Sequence, residues 1–150
     1  MRNRVGAAMA ACAVALPGAA PAYAAPSGHE HSIHGSRPTA LTPVGHTFVV
    51  TVDSGLVARQ EFSADAKKVT ITVLDPGRTS VPVGFTEAVP VYIGRVAHGV
   101  YQVSWIEDDG VELSNVQNLR NGTERVFYTY TGTDGKRHGS EHSGALRGIS

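Results

Sequence analysis

From His46 onward the sequence alternates apolar and polar residues with a period of two, and this pattern most constrains the fold. β-Branched and aromatic residues fill many of the alternating positions, and apolar residues do not recur at helical spacing over a dozen positions. Eight segments show the pattern, at about 46–52, 56–63, 68–74, 83–93, 100–107, 111–118, 123–131 and 137–148. The sequence therefore predicts a domain that is nearly all β.

Turn signals separate many of these segments. Asp53-Ser54-Gly55, Asp109-Gly110 and Asn121-Gly122 contain residues that accept a positive φ, and Asp75-Pro76-Gly77 marks a longer turn. Consecutive strands should therefore pair antiparallel. About eight such strands protect their edges either in a closed barrel or in a two-sheet sandwich. Because hairpin signals recur along much of the chain, we predict an antiparallel up-and-down β-barrel of about eight strands.

The start of the chain has the features of a secretory signal peptide. Arg2 and Arg4 precede an almost wholly apolar run from Val5 to Leu16, and Ala22-Tyr23-Ala24 supplies a cleavage site. The run is shorter than the roughly 20 residues that a membrane-spanning helix needs. We expect residues 1–24 to be removed and the protein to be secreted or periplasmic. Lipid attachment at Cys12 is the alternative.

Residues 25–43 are predicted to form a flexible linker, because they contain Pro, Gly and Ser and few large apolar side chains. Three histidines in this linker, His29, His31 and His34, are candidate ligands for a divalent transition metal. A solvated linker is the simpler interpretation, since no cysteine or carboxylate cluster completes a closed site. Residues 44–150 then form the single folded domain.

The charge balance excludes some partners. The chain has 13 basic and 13 acidic residues, and loss of Arg2 and Arg4 with the signal peptide leaves 11 against 13. This balance, without a basic run carrying interleaved aromatic residues, argues against nucleic acid and against an electrostatic membrane surface. We identify no cofactor-binding or hydrolase motif in the sequence.

Polar residues at inward-facing strand positions predict a small-molecule pocket in the barrel lumen. Gln60, Asn115 and His142 share their strand faces with apolar residues. The facing aromatic residues are Tyr101, Trp105, Tyr128 and Tyr130. Together these seven residues are the predicted ligand-binding set, with Trp105 expected mainly to fill the core and Asn115 expected to contact the ligand.

Two other functions remain open from the sequence. A barrel enzyme of the decarboxylase or isomerase type would use Glu141 or His142 with Tyr128 or Tyr130 for acid–base chemistry. A lumen filled by its own side chains would instead indicate an interaction module with a metal-binding histidine tail. The sequence favours a binding protein over an enzyme, because Glu141 fits an outward-facing charge.

The chain resembles the MoaF-like family. The likeness rests on "DSGLVARQEFS" (53–63), "TITVLD" (70–75), "VYQVSWIEDDG" (100–110), "NGT" (121–123) and "GALRGI" (144–149). The resemblance implies a lipocalin-like barrel of the calycin type around a small-molecule cavity, without a known reaction. Where family members often have Val-His-Val-x-Asp-Phe, this chain has amides at Asn115 and Asn118. Acid–base or metal chemistry at those two positions is therefore not expected here.

Overall fold

Eight strands pair in sequence order into one closed antiparallel barrel in the computed structural model, which describes residues 41–149. Each strand pairs with its neighbour in the chain, and the last strand closes the ring by pairing with the first. The strands are β1 Thr47–Val52, β2 Val57–Phe62, β3 Lys68–Asp75, β4 Thr86–Ala97, β5 Val100–Ile106, β6 Glu112–Asn118, β7 Thr123–Thr131 and β8 Arg137–Gly148. The predicted all-β up-and-down barrel is confirmed.

The fourth strand differs most from the prediction, which placed it at about 83–93. It begins later because Gly84 has a φ of 81° and donates its N–H to the carbonyl of Val73 at 2.8 Å, within a turn. It ends later because pairing with β5 continues to Ala97, through an irregular register after Arg95. The bounds of the other strands lie within one residue of the prediction.

The topology gives the barrel two different ends. The upper end, as we name it, carries the four turns 53–56, 76–85, 107–111 and 132–136, and the lower end carries the other turns and both ends of the described chain. Two upper turns contact each other where Arg78 donates its backbone N–H to the carbonyl of Ser54 at 3.2 Å. Gly77 lies at this contact with a φ of 55°, and a Cβ there would lie 2.3 Å from the carbonyl carbon of Gly55. Only glycine fits this position.

Apolar side chains fill the lower end of the barrel. The rings of Phe48 and Phe62 meet edge to face with centroids 6.2 Å apart, and Leu119 is fully buried. Pro43 is also fully buried, and its carbonyl accepts the N–H of His46 at 3.0 Å. Pro43, the last residue of the predicted linker, therefore packs with the barrel.

The alternating register directs one face of each strand into the lumen. On β2 the inward residues Ala58, Gln60 and Phe62 are all buried, while their neighbours are partly exposed. On β6 the inward residues include Leu113 and Asn115. Polar side chains therefore enter an otherwise apolar core, and their positions define the candidate site.

Candidate functional site in the barrel lumen

Seven polar or amphipathic side chains meet in the lumen. Six of them are no more than 5 % exposed, and only the seventh, Tyr128, reaches solvent appreciably. They are Gln60 from β2, Trp105 from β5, Glu107 from the β5–β6 turn, Asn115 and Gln117 from β6, and Glu124 and Tyr128 from β7. Their convergence follows from the register, because β5, β6 and β7 are neighbours in the closed sheet.

Gln117 links two strands that are distant in sequence. Its side-chain Nε2 donates to Oε1 of Gln60 at 2.9 Å and to Oε2 of Glu124 at 3.2 Å. Its own Oε1 is buried and accepts no hydrogen bond from the part of the chain that the structure describes. The bridge therefore holds Gln60 and Glu124 in place and leaves one acceptor available.

Asn115 is fully buried, yet neither its Oδ1 nor its Nδ2 has a hydrogen-bond partner within residues 41–149. The indole Nε1 of Trp105 is likewise buried and has no partner in hydrogen-bond geometry. A buried polar group without a partner costs about 1–3 kcal/mol, so native proteins rarely keep several together. Both side chains line the same small cavity, where a guest molecule or water can satisfy them.

Glu124 is a buried carboxyl, only 3 % exposed. Gly144 on the neighbouring strand makes room for it, since a Cβ at that position would lie 2.9 Å from Cγ of Glu124. Burial raises the pKa of Glu124 from 4.5 to about 7, against a smaller lowering by the hydrogen bond from Gln117. Glu124 therefore changes its charge near neutral pH.

Glu107 is a second buried carboxyl, at the upper end of the lumen. Burial raises its pKa from 4.5 to about 8, and the nearby charges of Glu87 and Asp109 add to that rise. The N–H of Trp105 lies close enough to lower this pKa slightly, without reaching hydrogen-bond geometry. Glu87 itself accepts the N–H of Asp108 at 2.6 Å, and burial raises its pKa as well.

The lumen cavity is small and mainly apolar. About 20 Å³ is open to the centre of a water-sized sphere, and Val50, Ala58, Ile71 and Val126 are among the lining residues. A cavity needs roughly 10–15 Å³ of such space to hold one water molecule. The lumen as it stands therefore admits a group the size of water, less than the several hundred Å³ of a pocket for a drug-sized ligand.

Four of the seven predicted ligand-binding residues line this cavity, namely Gln60, Trp105, Asn115 and Tyr128. The other three do not. Tyr101 packs against the apolar core, and Tyr130 stacks on His138 with centroids 5.6 Å apart.

His142, the last of the three, lies beside the rim of the lumen. Its ring meets that of Tyr128 edge to face at 5.6 Å. Its Nδ1 lies 2.7 Å from Oδ1 of Asp53, whose Oδ2 accepts the N–H of Ser143 at 2.9 Å. That backbone hydrogen bond is the main cause that lowers the pKa of Asp53, and His142 adds to it.

The two lumen carboxyls, Glu107 and Glu124, are not among the residues predicted from the sequence. Glu107 follows Trp105 by two positions and Glu124 precedes Val126 by two, so both lie on inward registers that the strand assignments already implied. The alternation of inward and outward positions therefore already indicated that both glutamates face the lumen. Because a glutamate at an inward position is rarely buried without a partner, neither residue was predicted to lie in the lumen.

The predicted metal ligands His29, His31 and His34 and the predicted signal peptide lie outside the described residues. Within residues 41–149, no group of three His, Cys, Asp or Glu side chains is arranged to hold a metal ion. The same part of the chain contains no helix that is long and apolar enough to cross a membrane.

The fold and the site define a class: a small closed antiparallel β-barrel with polar side chains enclosed in its lumen. The MoaF-like family profile matches residues 44–142, and the chain belongs to this family. No curated protein matches the sequence.

Among solved structures, the chain is similar to a Burkholderia vietnamiensis protein that is described provisionally as a beta-lactamase. The two sequences are 27 % identical, the TM-score is 0.59, and the match covers 71 % of this chain and 94 % of the other.

Proposed function

We propose that the protein binds a small, partly apolar molecule in the barrel lumen. The observation that carries this proposal is a set of buried polar atoms on or beside the cavity that have no partner among the described residues: both side-chain polar atoms of Asn115, Oε1 of Gln117 and Nε1 of Trp105. Apolar walls would supply affinity, and these few directional groups would orient the ligand.

The size of the cavity limits how the ligand enters. The space admits one water-sized group, so the polar head of the ligand occupies it while the apolar remainder extends toward the upper end. Tyr128, which is partly exposed, and Leu56, from the β1–β2 turn, line the cavity on that side. Binding then requires their side chains to move apart.

The beta-lactamase description of the Burkholderia vietnamiensis protein is not our proposal for this chain. No serine, lysine or histidine is among the residues that line the lumen cavity. The polar lining consists of amide, carboxyl, phenol and indole groups. These groups favour binding over acyl transfer to a serine. We further propose that the protein acts outside the cytoplasm, which rests on the signal-peptide features of residues 1–24.

A second candidate function is acid–base catalysis on the same ligand. It is favoured by the pKa values of Glu124 and Glu107, about 7 and 8, which suit proton transfer near neutral pH. Burial also raises the pKa of Tyr128, so this phenol remains a proton donor. The carboxyl considered from the sequence, Glu141, is exposed and lies 3.5 Å from Arg125 on the outer face. Conversion of a bound compound by the parent protein but not by Glu124→Gln would establish this function.

The test of lumen binding uses the only tryptophan of the chain as its reporter. Trp105 lines the cavity and is 2 % exposed, so an incoming ligand should change its emission. Native mass spectrometry of protein purified from its producing cells would show whether a molecule is retained. Compounds extracted from that protein would then be titrated against the emptied protein, with Trp105 emission recorded.

Two variants make the test specific to the lumen. Ala58→Leu fills the cavity, because Ala58 is buried and lines it, whereas Ala88→Leu adds the same volume on the exposed face of β4. We expect saturable binding by the parent and by Ala88→Leu, and loss of binding in Ala58→Leu with its thermal unfolding still cooperative. Equal binding by all three proteins would place the ligand outside the lumen and refute the proposal.

A further inference from the structure

Among the residues that the structure places around the lumen cavity, two are acidic and none is basic. Glu107 and Glu124 line the cavity, and no lysine, arginine or histidine in residues 41–149 forms an ion pair with either. His142 lies on β8, which pairs with the strand of Glu124, but its ring is already paired with Asp53. A buried carboxylate without a counter-charge is costly, so a guest that supplies positive charge would be stabilised and an anionic guest would be repelled.

Two of the four buried polar atoms that carry the proposed function are acceptors, and these fit a donor; the other two, Nδ2 of Asn115 and Nε1 of Trp105, are donors that an ammonium group does not satisfy. Among the described residues, Oδ1 of Asn115 and Oε1 of Gln117 are buried acceptors without partners, and the carboxylate of Glu124 accepts a hydrogen bond from Gln117. An ammonium group carries three N–H donors and no acceptor. It is also about the size of a water molecule, which is the size that the cavity admits.

The upper end of the barrel has the same sign of charge. Its turns and the strand residues beside them contain five aspartates against three basic residues; the aspartates are Asp53, Asp75, Asp108, Asp109 and Asp134, and the basic residues are Arg78, Lys136 and Arg137. Glu107 lies at this end of the lumen, next to Glu87. An acidic rim that leads to an acidic interior raises the local concentration of cations.

We propose that the ligand of the lumen is a small organic cation, a protonated primary amine, whose ammonium group lies among Glu124, Asn115 and Gln117. This inference rests on the proposed function and names its ligand class. The apolar part of the amine would contact the valine and leucine side chains that line the cavity above these groups. Neutral alcohols would bind more weakly because they lack the charge, and carboxylates would not bind.

Binding of a cation should be linked to proton release. Burial raises the pKa of Glu124, and the hydrogen bond from Gln117 on β6 partly offsets that rise. The charge of Glu124 in turn raises the pKa of the Tyr128 phenol on the same strand. Burial also raises the pKa of Glu107, and the charges of Glu87 on β4 and Asp109 in the β5–β6 turn add to that rise. A bound ammonium favours the ionised carboxylates, so affinity should increase as the pH rises from 5 to 8.

The experiment compares n-butylamine with two probes of similar size, n-butanol and butyrate, at pH 7.5. Trp105 emission and isothermal titration calorimetry report binding to the parent, to Glu124→Gln and to Glu141→Gln. The first substitution removes the charge inside the lumen, and the second removes one from the outer face of the neighbouring strand. Thermal unfolding of each variant checks its fold.

We expect the amine to bind the parent at least tenfold more tightly than the alcohol, and butyrate to leave Trp105 emission unchanged. Glu124→Gln should lose at least tenfold in amine affinity, whereas Glu141→Gln, on the outer face, should bind the amine as the parent does.

Alcohol binding as tight as amine binding, or amine binding unaffected by Glu124→Gln, would overturn the cation inference and leave lumen binding intact. If none of the three probes binds, the cation inference also fails. Native mass spectrometry then tests the proposed function separately. A neutral or anionic compound retained in the lumen supports lumen binding, whereas a lumen that holds only water refutes it.

Discussion

Replacement of Glu124 by glutamine should stabilise the protein above neutral pH and leave its stability almost unchanged at pH 4. Glutamine has nearly the same shape as glutamate and keeps an oxygen that can accept the N–H of Gln117. It does not ionise. The substitution therefore removes the cost of a buried charge while the packing against Gly144 is kept.

The pKa of Glu124 sets the size and the sign of this effect. Burial raises it from 4.5, the ordinary value, to about 7 in the folded protein. At about 1.4 kcal/mol per pH unit, this rise corresponds to about 3 kcal/mol. The folded state holds the proton more tightly than the unfolded state, so the free energy of unfolding falls as the pH rises from about 4.5 to about 7. Glu124→Gln should not show this part of the decrease.

Thermal unfolding of the two proteins from pH 4 to pH 9 measures the difference. For a domain of this size 1 kcal/mol corresponds to about 4 °C, so the variant should melt on the order of 10 °C higher at pH 8. Burial raises the pKa of Glu107 to about 8. Because Glu107 is present in both proteins, its contribution to the pH dependence cancels when the two melting temperatures are compared. Glu141→Gln, on the outer face, serves as the control and should follow the parent. An equal gain at pH 4 and pH 8, or no gain at pH 8, would refute this reasoning.

Three other substitutions test the packing of the lumen and the upper turns by urea unfolding. Asn115→Leu should raise the free energy of unfolding by about 1–2 kcal/mol, because it removes two buried polar atoms without partners; a decrease would show that bound water or ligand satisfies the amide. Trp105→Ala should lower it by about 3–5 kcal/mol, since the indole is 2 % exposed, and a loss below 1 kcal/mol would contradict its place in the core. Gly77→Ala should lower it by about 1–3 kcal/mol because of the positive φ and the contact with Gly55. Gly94→Ala, where a Cβ meets no atom within 4 Å, is its control and should be nearly neutral.

The strand assignments from the sequence succeed where a turn signal and the period of two agree. Asp109-Gly110 and Asn121-Gly122 bound β6 closely, and residues of β6 such as Asn115 lie on the predicted face. The fourth strand is misplaced because its predicted start, Val83, lies in an apolar stretch that forms part of a turn. Gly84 and its hydrogen bond to Val73 decide that turn, and this contact between β3 and the loop is not encoded in a local pattern.

The candidate site is predictable from the sequence only in part. Gln60 and Asn115 were identified because an amide among apolar neighbours is conspicuous in the register. The inward position of Glu124 follows from the period of two, but its burial depends on Gly144, which leaves room for it, and on Gln117, which donates to it. These three residues come from three different strands.

The amino-acid sequence by itself determined the strands, their antiparallel order and the side chains that face inward, because these depend on local alternation and on turn residues. Only the tertiary structure decided that, within residues 41–149, the two lumen carboxyls have no positive partner and Asn115 has no hydrogen-bond partner. It also decided that the remaining space admits a single water-sized group. Burial, pairing and cavity size depend on side chains that arrive from strands far apart in the chain, and those contacts exist only once the barrel has closed.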